Sequence, residues 1–341
     1  MENKRHLNQI ESLRAFAAIA VAIFHFSAYF VWNETTTQNF TYGALGVEIF
    51  YMISGFIIPY SLYHSGYLIH HYFRYMGKRL VRLLPPYWLT IFLIVAVGFC
   101  LCKFLWGCPW SLSMNFKQSA VNAFFLSDFI FFLSDINILS DGINPQNYDW
   151  LNPIFATLEV ELHFYILIGL LFPLIQKIPW TYLIICALFL YGGYETIEYD
   201  TVLVRSPYFI CGMSIFFIKE KGFNLIYIIP VLSALVVVNE FYYGEDLVVL
   251  IIGILSLYLL PRSFKFLNLT GRISYSYYLI HGLAGGNFLH FTADSEFAKS
   301  NPVIMIIFAL LVSWIAAFGM YWFVERTSMK ISKRIKYQKS K

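Results

Sequence analysis

The chain has 341 residues, of which 59% are hydrophobic, 20% aromatic and only 13% charged, with a mean hydropathy of +0.62. Those proportions exclude a soluble globular protein and point to an all-α, polytopic integral membrane protein. The formal charge of +4 is small, and the basic residues are dispersed over short connections and a tail. That pattern fits membrane orientation better than a nucleic-acid surface.

The first apolar stretch, residues 12–31, reads SLRAFAAIAVAIFHFSAYFV and carries two ionisable side chains, Arg14 and His25. Their spacing turns a helix through about 1100°, so they share a face and stand about 16 Å apart along the axis. With Arg14 at one boundary, His25 reaches the mid-depth of a hydrocarbon layer about 30 Å thick. An ionised group there costs about 2.5–3.5 kcal/mol and persists where it is used. Snorkelling would explain Arg14 alone, and a hydrogen bond to a neighbouring helix would explain His25 alone; the pair together points to function. The segment is too long for a cleavable signal and shows no small-residue cleavage site.

Nine further apolar stretches follow, near residues 44–63, 84–102, 152–174, 179–194, 201–218, 224–239, 247–260, 274–291 and 302–323. The expectation is therefore about ten transmembrane helices within residues 12–323 of a single domain, 1–341, ending in a basic tail over 324–341. The shortest, 179–194, 224–239 and 247–260, require little tilt or a thinned bilayer. Alternating sides, Lys4, Arg5, Arg74, Lys78, Arg79, Arg82, Lys177, Lys219, Lys221, Arg262, Lys265, Arg272 and the tail fall on one face, leaving Lys103, Lys117, Arg205 and Lys299 on the other. The positive-inside rule then predicts that both termini are cytoplasmic.

Residues 103–151 form the one large outer excursion. Phe124–Leu139 is apolar enough to dip into the membrane, while Asp128 and Asp135 argue for a re-entrant or interfacial helix instead of a full span. A loop of this size reads either as a contact for an extracytoplasmic substrate or as a covering lid. The five cysteines show no metal-ligand spacing. Cys102 and Cys108 flank the excursion and suit a disulfide only on an oxidising side.

Other titratable groups are expected at depth. His281, nine residues past Arg272, stands about 14 Å from the cytoplasmic boundary, close to the height of His25. Glu161, on a descending span about nine residues past Asn152, is expected at the same level, so that His25, Glu161 and His281 meet near the midplane. Glu159 and His163, four apart, read as a mutual pair turned away from Glu161. In GVEIFYMISGFIIPYSL, Glu48 falls near the outer side, and Ser54 with Gly55 reads as close helix packing. FRYMGKRLVRLLPPYW puts Arg79 and Arg82 on one face beside Pro85 and Pro86, which end or restart a helix. That arginine pair serves topology alone, or clamps the phosphates of a cytoplasmic cofactor, for which guanidinium forks are suited.

Six segments stand in a fixed order. Arg14 and His25 lie in IESLRAFAAIAVAIFHF, and Glu48 in GVEIFYMISGFII. Lys78, Arg79, Arg82, Pro85 and Tyr87 lie in KRLVRLLPPYW; Glu161, Phe164 and Tyr165 in TLEVELHFY. Ser274, Tyr275 and His281 lie in GRISYSYYLIH, and Glu325 with Arg326 in WFVER. Together they resemble the membrane acyltransferase 3 family of bacterial O-acyltransferases from end to end. Ala156 stands where that family often has tryptophan, and Thr327 where proline commonly follows the Glu-basic pair, differences that bear on local packing.

The resemblance implies a cytoplasmic acyl-CoA donor, most often acetyl-CoA; from the residues themselves no metal is expected. It implies as acceptor a carbohydrate hydroxyl, on a surface glycan or a lipid-linked precursor, at or beyond the outer face of the cell's cytoplasmic membrane, with membrane lipids as surroundings. On that basis Arg14, Arg79 and Arg82 are expected to hold the donor's phosphates and His25 to act as general base, oriented by Glu161 or His281. A proton-coupled transporter or permease would use the same buried charges. The lack of a halved hydropathy repeat, and the gathering of cations at one face with an imidazole at depth, weigh against it.

Overall fold

The computed structural model describes residues 2–101, 154–197, 201–259, 264 and 267–337. Every regular element among them is helical, as expected of a nearly continuous apolar chain whose backbone groups have no water to bond. In order these are α1 (Glu2–Ser27), α2 (Glu34–Thr41), α3 (Gly46–His64), α4 (Tyr72–Leu101), α5 (Ile154–Lys177), α6 (Thr181–Glu195) and α7 (Ser206–Lys221). Then come α8 (Leu225–Phe241), α9 (Gly244–Leu259), α10 (Asn268–Arg272), α11 (Ser274–His281), α12 (Asn287–Thr292), α13 (Glu296–Ser300), α14 (Pro302–Met320) and α15 (Arg326–Arg334). Phe124–Leu139, with Asp128 and Asp135, and the Cys102/Cys108 pair lie outside the described residues, as do Arg262 and Lys265.

Each apolar stretch of the sequence contains helix. Five helical segments, Gln9–Ser27, Glu34–His64, Ile69–Gly98, Ile154–Lys177 and Pro302–Arg334, are long and apolar enough to cross a membrane. The chain is an all-helical membrane protein among its described residues. Helices α6 to α9 have 15, 16, 17 and 16 residues, or about 22–26 Å, short of a hydrocarbon layer of about 30 Å.

Three local departures from the sequence expectations bear on the site. Pro85 and Pro86 neither end nor restart a helix, because α4 runs through both. Side chains bond carbonyls next to the proline pair: Thr90 donates to the Pro86 carbonyl at 3.0 Å and Tyr275 to that of Leu83 at 2.9 Å, while the carbonyls a proline deprives of their helical donor are those four residues earlier, Val81 and Arg82. Helix α1 ends at Ser27, short of Val31, where the Ser27 hydroxyl bonds the Phe24 carbonyl and the Trp32 indole takes the Ser27 carbonyl. His25 therefore sits in the last turn, farther along than mid-span. Finally, the helices bearing His281 and Glu325 each contain a π-type turn, over Gly282–Gly286 and Tyr321–Glu325, a widening that re-aims the adjoining side chains.

Packing relies on missing side chains. Helices α3 and α7 approach so closely that a Cβ on Gly55 would lie 2.3 Å from the Phe209 carbonyl oxygen, and one on Gly212 2.1 Å from that of Met52. Small residues are how apolar helices associate when the solvent is itself apolar. A Cβ on Gly271 would fall 1.9 Å from the Glu11 carbonyl oxygen, so α10 abuts the start of α1. Arg272 pairs with Glu11 at 3.3 Å and Ser12 bonds Asn268 at 3.3 Å. This contact sets the register between α1, which carries His25, and α11, which carries His281.

Gly212→Ala is expected to force α3 and α7 apart at a cost of about 1–3 kcal/mol. Gly77→Ala, also within a helix but with a Cβ that meets nothing within 4 Å, serves as the control that carries the same gain in helix propensity without the clash. Thermal unfolding of the two detergent-purified variants reads the difference, and equal melting temperatures would contradict the packing account.

Candidate active site

At the end of the bundle that holds Glu11 and Arg272, an open cleft of ≈ 490 Å³ lies between α3, α4 and α15. Its cations are Lys78, Arg79, Arg82 and Lys333, with Tyr60 and His64 opposite. The spacing of three brings Arg79 and Arg82 to this one face, as the sequence implied. Helix α15 is fastened to α4 by the Ser332 hydroxyl, which donates to the Lys78 carbonyl at 2.9 Å. Arg79 is only 8% exposed, and its guanidinium lies 5.6 Å from the ring centres of both Tyr75 and Tyr165.

Tyr165 joins this cleft to a smaller inner pocket. Its ring meets Arg79, while its hydroxyl donates to the carboxylate of Glu161. Ser54 donates to the same carboxylate oxygen at 2.6 Å, so Ser54 is a polar contact as well as a packing residue. The inner pocket is lined by Arg14, Phe50, Tyr51, Thr157, Glu161, Tyr275 and Tyr278 among others. The Arg14 Nε is buried there with no hydrogen-bond partner among the described residues.

Two expectations are corrected by this arrangement. Arg14 does not line the basic cleft beside Arg79 and Arg82, but the inner pocket beside Glu161. Glu161 does not stand at the height of His25. Its helix begins with Ile154 already packed against Val21 and Tyr278, and seven residues of descent lower Glu161 by about 10 Å, to the level of Arg14. The sequence estimate counted depth from Asn152 as though it lay at the membrane surface.

His25 and His281 do meet, with ring centroids 5.3 Å apart and planes inclined by 35°. The link to the inner pocket is aromatic. Phe50 packs on Tyr278 at 5.6 Å and Tyr278 on His281 at 6.0 Å, while the hydroxyls of Thr157 and Tyr278 are bonded at 2.7 Å. Arg14, Glu161, Tyr278, His281 and His25 thus form a continuous line leading away from the basic cleft.

Glu325 carries a role that the sequence reading did not assign. It is 1% exposed and accepts from the Ser276 hydroxyl at 2.5 Å and backbone N–H at 3.2 Å. Arg82, which lines the cleft, and Arg14, which lines the inner pocket, are both electrostatic neighbours of this carboxylate. A carboxylate closing an apolar run is the signal that could have found it. Elsewhere, Glu159 and His163 approach to 3.9 Å, in line with their expected pairing. Glu48 is held by Arg205 at 2.8 Å, next to a Tyr208 to Asp246 hydrogen bond of 2.6 Å. Among the described residues no group of three or more His, Cys, Asp or Glu side chains is placed to hold a metal ion.

Comparison with known proteins gives the arrangement a lineage. The acyltransferase domain family matches residues 7–322. The O-acetyltransferase OatA proteins of Staphylococcus aureus strains NCTC 8325 / PS 47 and COL are each 29% identical to the chain over 185 residues. That stretch is 51% of this chain and 25% of each relative, so the chain matches about a quarter of the length of these curated proteins. No solved structure matches significantly. With the family match covering nearly the whole length, the chain belongs to the membrane acyltransferase 3 family.

Proposed function

We propose that this protein is an integral membrane O-acyltransferase that moves an acyl group, acetyl in the simplest case, from cytoplasmic acyl-CoA to a hydroxyl of an extracytoplasmic or lipid-linked carbohydrate. The observation that carries the reading is the unbroken line of side chains between an open basic cleft and the His25/His281 pair. The family membership and the likeness to O-acetyltransferases support the same class of reaction. We assign it to the cytoplasmic membrane with about ten spans and both termini inside. That topology is supported by the excess of Lys and Arg in alternate loops, and by the cleft lying at the end where α1 begins and the basic α15 packs.

In this mechanism Arg79 and Arg82, aided by Lys78 and Lys333, receive the donor's phosphates, for which forked guanidinium donors are suited. Arg14 is the next cation inward, kept in a charge-balanced pocket by Glu161, and it guides the arm that carries the thioester. His25, at the far end of α1, takes the proton of the acceptor hydroxyl as that oxygen attacks the acyl carbon. The C–O bond forms, the C–S bond breaks, and the proton passes to the departing thiolate.

Label transfer from acyl-CoA into cell-surface glycan, followed in membranes bearing His25→Ala, is expected to fall about 10²–10⁴-fold; transfer at the original rate would eliminate the base assignment. Arg79→Gln and Arg82→Gln each remove charged hydrogen bonds worth about 1.5–3 kcal/mol, so each is expected to raise KM for acyl-CoA by about 10–100-fold. That increase should shrink in concentrated salt, which already screens the exposed part of the cleft. An unchanged KM in both variants would move the donor site elsewhere.

A further inference from the structure

His281 closes α11 with its ring wholly buried, 0% exposed. Its Nδ1 lies 2.8 Å from the carbonyl oxygen of Tyr278 and 3.3 Å from that of Tyr277. A carbonyl oxygen can only accept, so Nδ1 carries the ring proton and donates it. Nε2 is then a bare lone pair, and no donor reaches it among the described residues. A buried acceptor left unanswered is costly, so a donor there is favoured. The ring nearest that of His281 is the imidazole of His25, while Phe26, Tyr278 and Tyr277 pack at 6.0, 6.0 and 6.2 Å. At a centroid separation of 5.3 Å, one imidazole brings an N–H within bonding reach of the other by turning in place. Catalytic hydrogen bonds that are long in the empty enzyme commonly tighten this way in the reacting complex.

We propose that His281 is a positioning residue for His25: its Nε2 receives one N–H of His25, leaves the opposite His25 nitrogen bare for the acceptor's proton, and holds the imidazolium that results. This rests on the reading of His25 as the base. The hydroxyl proton moves to His25 as the C–O bond forms and returns from His25 to the thiolate as the C–S bond breaks. His281 exchanges no proton and keeps the same tautomer throughout, because the Tyr278 carbonyl cannot give one back. Glu161 does not compete for this role, since its carboxylate is engaged by Ser54 and Tyr165 in the pocket it shares with Arg14.

Two substitutions separate the nitrogens. In His281→Asn the carboxamide can still donate where Nδ1 did, but nothing reaches the place of Nε2. In His281→Gln the longer carboxamide puts an accepting oxygen there. We expect kcat to fall about 10–100-fold in His281→Asn, the range for losing the group that orients a reactive imidazole. KM for acyl-CoA should be unchanged, and His281→Gln should regain most of the lost kcat. Equal losses in the two variants at equal melting temperatures, or a loss confined to KM, would overturn the proposal. Should the asparagine variant not assemble, the glutamine variant decides: near wild-type kcat supports the role, and a loss beyond tenfold overturns it. If His25→Ala keeps full transfer, the base assignment fails first. If His25→Ala is inactive while His281→Asn runs at wild-type kcat, only the role of His281 is lost.

Discussion

A charge surrounded by apolar side chains must be answered by an opposite charge or by several aligned dipoles, and the interior of this bundle is built around that demand. Arg79 and Arg82 line the basic cleft and Arg14 the inner pocket, with Arg82 the electrostatic neighbour of both others. Two carboxylates lie in the same region, Glu325 as an electrostatic neighbour of Arg82 and Arg14 and Glu161 in the pocket of Arg14, and each is held in place. Glu161 is tied to Ser54 of α3 and Tyr165 of its own helix, and Glu325 is tied to Ser276 of α11. Holding these carboxylates ties α3 to α5 and α11 to the turn that follows α14, beside the α1 and α4 helices that carry the cations.

Irregular helix geometry contributes as much as the charges. The proline pair leaves α4 unbroken, with Tyr275 and Thr90 bonding carbonyls beside it, so Arg79 and Arg82 remain on the same helix as the residues that follow. The π-type turn over Tyr321–Glu325 ends on the residue that meets Ser276, and the one over Gly282–Gly286 begins immediately after His281. Both widenings occur where a polar side chain has to be aimed inward from an otherwise apolar helix. The contact of Gly271 with the Glu11 backbone fixes the start of α11 against α1, and the two imidazoles meet higher up because both helices climb from that common point.

Under the proposed reading, this layout separates the tasks of a transfer across a membrane along one axis. Phosphate recognition needs an open, cationic surface, whereas removing a hydroxyl proton needs an imidazole held in a drier place. The aromatic column of Phe50, Tyr278 and His281 lies between them. Beyond that column, in the far turn of α1, stands the half-buried His25.

Composition and hydropathy alone sufficed for the all-helical membrane class, and spacing alone sufficed to put Arg79 and Arg82 on one face and Glu159 beside His163, because these are properties of a single helix. The ordered segments from Arg14/His25 to Glu325 made the family legible for the same local reason. Depth was not legible: Glu161 was expected beside His25, and only the packing of Ile154 on Val21 and Tyr278 put it beside Arg14. The same holds for the separation of Arg14 from the Arg79/Arg82 cleft and for the bond between Glu325 and Ser276. Periodicity along a helix determines which face a residue occupies, but its height against a neighbouring helix depends on where close contacts such as Gly271 on Glu11 lock the two together, and that is decided only when the bundle assembles.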